Sequence, residues 1–296
     1  MEKASVTRYS GVNAKVGDLL VNRLLPSQAL QSVGHFVFLD HLYPTSHQAK
    51  APQAPTGEFA HPHRGIATFT YLFSGSLEHY DSNGQHGIVE AGGAQWMKAG
   101  RGVMHDENPS PRFQAEGGVL HAVQFWINLP SSVKAEAPEY LALHPQDIPV
   151  VDLPAEAGRL RIVIGSFGDT ASPVKTFSQQ YLYHLQLNPK ASFRWLMKPG
   201  LEYAAFVPGD AVLVNGRAYG QSELLVVAPN ETVLTFTSTS ITPTDVLLFG
   251  GEPYTEPMVA QGPFIMNSHA EIAEAYEDFF AGKYGQIHYQ PLAIQS

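Results

Sequence analysis

Apolar residues along this chain fall in short runs broken by Gly, Pro, Asn and Asp, not in long helical periods. The runs occupy 66–73, 118–127, 160–164, 181–187, 211–214, 224–227, 233–237 and 246–249. Segments of this length, bounded by turn residues, predict strands of an all-β sandwich or barrel in place of βαβ units. Asp81-Ser82-Asn83-Gly84 predicts a hairpin with Gly84 free to take positive φ, and Pro208-Gly209-Asp210 and Asn215-Gly216 predict similar turns. Between Asn128 and Pro154 the chain is punctuated by Pro130, Pro138, Pro145 and Pro149. That stretch predicts an extended connector between two β-rich domains, 1–140 and 141–296. One helix stands out near the C-terminus. Ser268 and Glu271 form a capping box, Ile272, Tyr276, Phe279 and Phe280 share one face, and Gly282 follows as the stop. It predicts a packing element without chemistry.

Composition narrows the picture. At 296 residues, with 44% hydrophobic and 15% charged residues, the chain has the balance of a globular protein large enough for two domains. A net charge of −9 would repel a phosphate backbone and argues against direct nucleic-acid binding. The absence of cysteine excludes disulfides, thiolate nucleophiles and cysteine-held metal clusters. The first residues lack the apolar core of a signal peptide, and no apolar run approaches the ~20 residues of a membrane span. A cytoplasmic protein without membrane partners is the expectation.

Histidine is distributed unevenly. Of 13 histidines, only His184, His269 and His288 lie beyond His144. The informative residues are His61-Pro62-His63-Arg64-Gly65 and His105-Asp106-Glu107. On a strand, residues two apart share a face, so His61 pairs with His63 and His105 with Glu107, while Arg64 turns away. If these strands are neighbours in a barrel wall, three imidazoles and a carboxylate converge. A lone His-x-His on a half-exposed strand ordinarily does nothing; two such pairs on one scaffold point to a metal. Imidazole and carboxylate ligands with open positions suit iron, manganese, copper or nickel, and zinc accepts them too. After residue 150 the one such pair is His269-Ala270-Glu271, on the predicted helix, where residues two apart do not face one another, and Glu202 and Asp210 stand without histidine, so the second half is expected to be metal-free.

Taken with their surroundings, these residues resemble the pirin family of bicupin proteins. The resemblance rests on His61–Gly65, on His79-Tyr80-Asp81-Ser82-Asn83-Gly84, and on Ala91-Gly92-Gly93-Ala94-Gln95-Trp96-Met97. It continues through Ala99-Gly100-Arg101-Gly102-Val103-Met104-His105-Asp106-Glu107, with Gly34–His41 upstream. Gly165-Ser166-Phe167-Gly168, Ser172-Pro173-Val174 and Gly262-Pro263-Phe264-Ile265-Met266-Asn267 carry it into the second half. The resemblance implies two tandem cupin barrels, with Fe(2+) held in the first by His61, His63, His105 and Glu107. The neighbourhood where a general cupin carries a glutamate after His-x-His reads Ile66-Ala67-Thr68-Phe69-Thr70 here. In pirins the carboxylate comes from His-x-Glu instead.

The resemblance further implies a quercetin 2,3-dioxygenase-like reaction, with dioxygen and a flavonol or related enolisable phenol as substrates and Glu107 as the base. The alternative it implies is a non-catalytic, redox-sensitive regulator that binds transcriptional or metabolic protein partners. Other residues have lesser claims. His79 and Asp81 are expected at a turn. Gln95, Trp96 and Met97 are expected as pocket wall or core, and Arg101-Gly102 as a tight turn. His35, His41 and His121 are expected at the pocket mouth or as buried polar groups, and His144 as solvated.

Overall fold

The computed structural model describes residues 6–16 and 19–290; the N-terminal residues read for a leader begin outside that range. Every strand run read from the sequence overlaps a strand, the run 211–214 losing only its first residue to the preceding turn. The chain divides into two compact units. The imidazole-bearing unit combines Leu42–Gln146 with Lys15–Val21 and the residues from Thr255 onward. The other combines Asp147–Tyr254 with Asn22–His41 and the residues up to Ala14. This interleaving corrects the expected contiguous domains 1–140 and 141–296: the C-terminal segment packs with the first-half barrel.

In the imidazole-bearing unit, four neighbouring strands of the larger sheet are Glu139–Leu143, Ala94–Lys98, Ile66–Ser74 and Gly118–Asn128. The smaller sheet runs His61–His63, Val103–Pro109, Ser76–Asp81, His86–Glu90. Leu72, Leu120 and Ala122 from the first pack with Leu77 and Val89 from the second, closing a two-layer barrel around an apolar core. The hairpin at Asp81–Gly84 forms as expected, with Gly84 at φ 81° and Asp81 Oδ1 accepting the amides of Asn83 and Gln85, each at 2.9 Å.

The other unit repeats the plan. Its large sheet is ordered Val6–Tyr9, Glu223–Val227, Glu202–Val207, Thr244–Gly251, Gln180–Leu187, Gly158–Ile164, Val150–Asp152. The small sheet is Ser192–Leu196, Val233–Ser238, Val212–Val214, Arg217–Tyr219. Ser192–Leu196 alternates exposed and buried positions, the period of a strand with one face in the core. Phe193, Trp195, Leu234 and Phe236 meet Tyr183, Leu185, Val246 and Leu248 in that core.

Two expectations need correcting. The proline-rich stretch is not a bare connector. Its Glu139–Leu143 pairs with Ala94–Lys98, and Val150–Asp152 pairs with Gly158–Ile164. The prolines lie outside both segments, so each can donate to its ladder. A short helix, Pro111–Glu116, also went unread: Ser110 caps it by accepting from Phe113 N, and proline occupies its first turn. The helix His269–Phe280 was legible. Ser268 accepts from Glu271 N, but Glu271 reaches back to Asn267 N at 2.7 Å, one residue before the cap. Ile272 and Ala275 are its buried residues, whereas Phe280 is 79% exposed and leaves the expected stripe. No helix among the described residues is long and apolar enough to cross a membrane.

Candidate metal centre

The strand His61–His63 pairs antiparallel with Val103–Pro109, setting His105 opposite His61 and Val103 opposite His63. The other edge of Val103–Pro109 pairs with Ser76–Asp81, setting Glu107 opposite His79. Register and alternation thus gather three imidazoles. Ring centroids lie 4.8 Å apart for His61–His63, 4.4 Å for His61–His105 and 5.0 Å for His63–His105. Each residue of this trio offers one ligand atom within 4.8 Å of the others.

The nitrogens are oriented by backbone carbonyls. The His61 Nδ1–H donates to Phe59 O at 2.7 Å and the His63 Nδ1–H to Pro263 O at 3.1 Å, which puts the lone pair of each on Nε2. His61 Nε2 and His105 Nε2 are 3.0 Å apart, and His105 Nδ1 is buried without a partner. Burial, reinforced by His61, pulls the His63 imidazole down to about 3 against the opposing Pro263 carbonyl. Burial and then His61, His63 and His79 hold His105 well below its ordinary value. Both rings are therefore neutral at pH 7, the form that ligates metal. Converging imidazoles, with Nδ1 of two of them tied to carbonyls and the buried His63 and His105 held neutral, fit a divalent cation.

Glu107 stands to one side of that trio. Its carboxylate groups with His79 and His105, again within 4.8 Å, so His105 is common to both clusters. Glu107 Oε1 accepts from Thr70 Oγ1 at 3.1 Å and from Gln95 Nε2, and Gln95 Oε1 in turn accepts from Tyr140 Oη at 3.1 Å. Glu107 also lines a cavity of about 440 Å³ whose wall includes Phe59, Leu77, Pro109 and Leu120.

Models of two families match the chain: pirin over residues 18–127 and the pirin C-terminal cupin domain over residues 182–285. The chain belongs to the pirin family. It is 34% identical to a Pseudomonas aeruginosa protein named "Putative quercetin 2,3-dioxygenase", over 87% of this chain and 89% of that one. A pirin-like protein of Solanum lycopersicum is 32% identical over 90% of this chain and 87% of its own. The crystal structure of quercetin 2,3-dioxygenase from Acinetobacter baumannii superposes with a TM-score of 0.87 at 32% identity. It covers 95% of this chain and 98% of that one, so both units of this pirin are cupin barrels.

In this pirin the segment after the second barrel buttresses the imidazoles. Arg64 turns from His63 as expected and donates to Asp278 Oδ2 at 2.7 Å and Glu274 Oε1 at 2.8 Å on the helix His269–Phe280. The helix thus has a positioning role that its apolar pattern did not disclose. Gly65, at φ 80°, lets Ile265 O approach: a Cβ there would lie 2.0 Å from that oxygen. The buried Lys134 ammonium spends its three donors on Gly65 O, Asn128 Oδ1 and Ile265 O, at 2.8, 2.5 and 2.7 Å.

His79 is the residue the sequence undervalued. It lies inside a strand, 1% exposed, stacked on Tyr140 at 4.2 Å, with its ring 5.5 Å from His105. Only the register opposite Glu107 reveals its place, and register is invisible in a lone sequence. Gln95 likewise touches Glu107, while Trp96 and Met97 are core. His35 and His41 belong to the other unit, where His35 meets Tyr254 edge-on and His41 Nδ1 pairs with Ser222 Oγ at 2.8 Å. His121 is half-buried against Phe73, and His144 is exposed.

Proposed function

We propose that this pirin is a metal-dependent dioxygenase that opens a flavonol or a related enolisable phenol. The observation that carries the reading is the cluster of three imidazoles, His61 and His63 oriented by carbonyls, beside a carboxylate that also faces a largely apolar cavity. The names of its relatives from Pseudomonas aeruginosa and Acinetobacter baumannii support the same chemistry. His61, His63, His105 and Glu107 would hold the metal, iron in the first instance, with Mn, Ni, Cu or Zn as substitutes. Such an ion supplies Lewis acidity toward a phenolic oxygen and a route for electrons to dioxygen.

The chain's own residues supply the rest. Both hydrogen bonds to Glu107 fall on Oε1, which leaves Oε2 to take the hydroxyl proton of the substrate. Thr70 and Gln95 fix the plane of that carboxylate, and Tyr140 fixes Gln95. Phe59, Leu77, Leu120 and Pro109 offer an apolar wall against which a planar ring sheds water.

Oxygen uptake by iron-loaded protein, followed with quercetin and a panel of enolisable phenols, tests the reading. Oxygen consumption should match the loss of flavonol absorbance. A protein that consumes none across the panel, yet changes its protein partners between ferrous and ferric states, would be a regulator instead.

A further inference from the structure

The other unit contains a cavity of about 290 Å³ that shares no residue with the imidazole clusters. Its wall is aromatic: Phe167, Tyr181, Tyr183, Trp195 and Tyr203 all face it. Tyr181 and Tyr183 stack at 5.1 Å, and Trp195 meets Tyr181 and Tyr203 edge-on at 5.7 and 5.2 Å. Their hydroxyls are committed to the backbone. Tyr181 Oη donates to Glu202 O, Tyr183 Oη to Ser166 O, and Tyr203 Oη to Lys198 O while accepting from Lys198 N. The rings are therefore fixed, and they offer faces and edges in preference to hydrogen bonds.

The uncommitted polar groups lie beside them. Gln180, only 7% exposed, and Ser178 both line the cavity, and Gln180 Oε1 and Ser178 Oγ are buried without a hydrogen-bond partner. More than nine in ten buried polar groups are satisfied, so two orphans in one cavity mark a place where a partner is missing. Lys198 is the one charged side chain among the lining residues, and it is exposed.

We propose that this cavity is a second small-molecule site, built for a single aromatic ring that carries a hydroxyl at one end and a carboxylate at the other. The volume sits at the small end of ligand cavities, roughly 300–1,000 Å³, and so admits one ring. The ring lies among Tyr181, Trp195 and Tyr203. The hydroxyl meets Gln180 and Ser178; because it both donates and accepts, it serves the Gln180 amide in either orientation. The carboxylate faces Lys198 at the exposed end.

Titration of the full chain with 4-hydroxybenzoate by calorimetry tests this, with benzoate as the comparison ligand. One 4-hydroxybenzoate should bind per chain, and His105→Ala should bind it as well as wild type, since the metal centre takes no part. Benzoate should bind at least tenfold more weakly, as should 4-hydroxybenzoate to Gln180→Leu. Lys198→Met, at an exposed position that will not disturb folding, should weaken binding severalfold and flatten its salt dependence. If Gln180→Leu does not fold, the benzoate comparison and Lys198→Met carry the test. No binding up to millimolar ligand would show a merely hydrated cavity and overturn the proposal. Binding lost in His105→Ala, or equal for benzoate and untouched by Lys198→Met, would also overturn it.

Discussion

His105 is the residue that both ligand clusters share, so its removal should be the most damaging single change to metal binding. His105→Ala should purify without stoichiometric metal, while His144→Ala, at an exposed position, should retain it; elemental analysis of both decides. Glu107→Gln keeps an oxygen toward the site but removes the anion. General base catalysis is worth about 10²–10⁴-fold, so oxygen uptake should drop by that factor in Glu107→Gln even where metal remains bound. Unchanged turnover would take the base out of the mechanism. His63 gives a pH signature in metal-free protein. Burial lowers its folded value to about 3 from 6.5, so the unfolded chain binds the proton first on acidification. The stability tied to the neutral ring is complete above pH 6.5 and is lost as the pH falls from 6.5 through 3. Melting temperatures of metal-free wild type should drop across that window, and those of His63→Gln should drop less.

Among the elements, the helix His269–Phe280 shows what a pattern can and cannot convey. Its existence, its Ser268 cap and its Gly282 stop were readable because capping and periodicity are local. That Glu274 and Asp278 hold Arg64 was not, since nothing local ties a helix surface to a strand 210 and 214 residues earlier. Arg64→Met should therefore disturb more than its own contacts. Removing one partner of a fully buried ion pair costs about 3–5 kcal/mol. Glu274 is 58% exposed, which brings the expected loss to roughly 2 kcal/mol. Metal affinity should fall with stability, because the backbone that follows His63 loses its anchor. Arg64→Lys, with fewer donors, should recover part of the stability and less of the affinity. Denaturant titration and competition with a chelator separate the two. The apolar strand runs were legible, but the strands of the proline-rich stretch were not; face-sharing within His61–His63 and within Val103–Pro109 was readable, whereas their pairing came from the structure. The position of His79 required the register of a third strand.

At the scale of the molecule, the skewed histidine distribution translates into a stoichiometry. Among the described residues, groups of three or more ligand-bearing side chains occur only between His61 and Glu107. Elemental analysis of the full chain should find one metal ion; two would mean that the second barrel ligates through groups the sequence does not flag. An all-β sandwich or barrel was legible from strand spacing and two barrels from the family resemblance, whereas the interleaved units were not, because a proline-rich stretch marks a change in the chain without saying where its ends return. That return has a consequence for how the protein is made. His61, His63 and His105 leave the ribosome early, but the carbonyl of Pro263 that orients His63 is encoded 200 residues later. At the usual pace of about 5–20 residues per second, the interval is roughly 10–40 s. During synthesis the nascent chain carries His63 without the carbonyl that sets its tautomer, and a fully oriented centre is assembled only after Pro263 has been added.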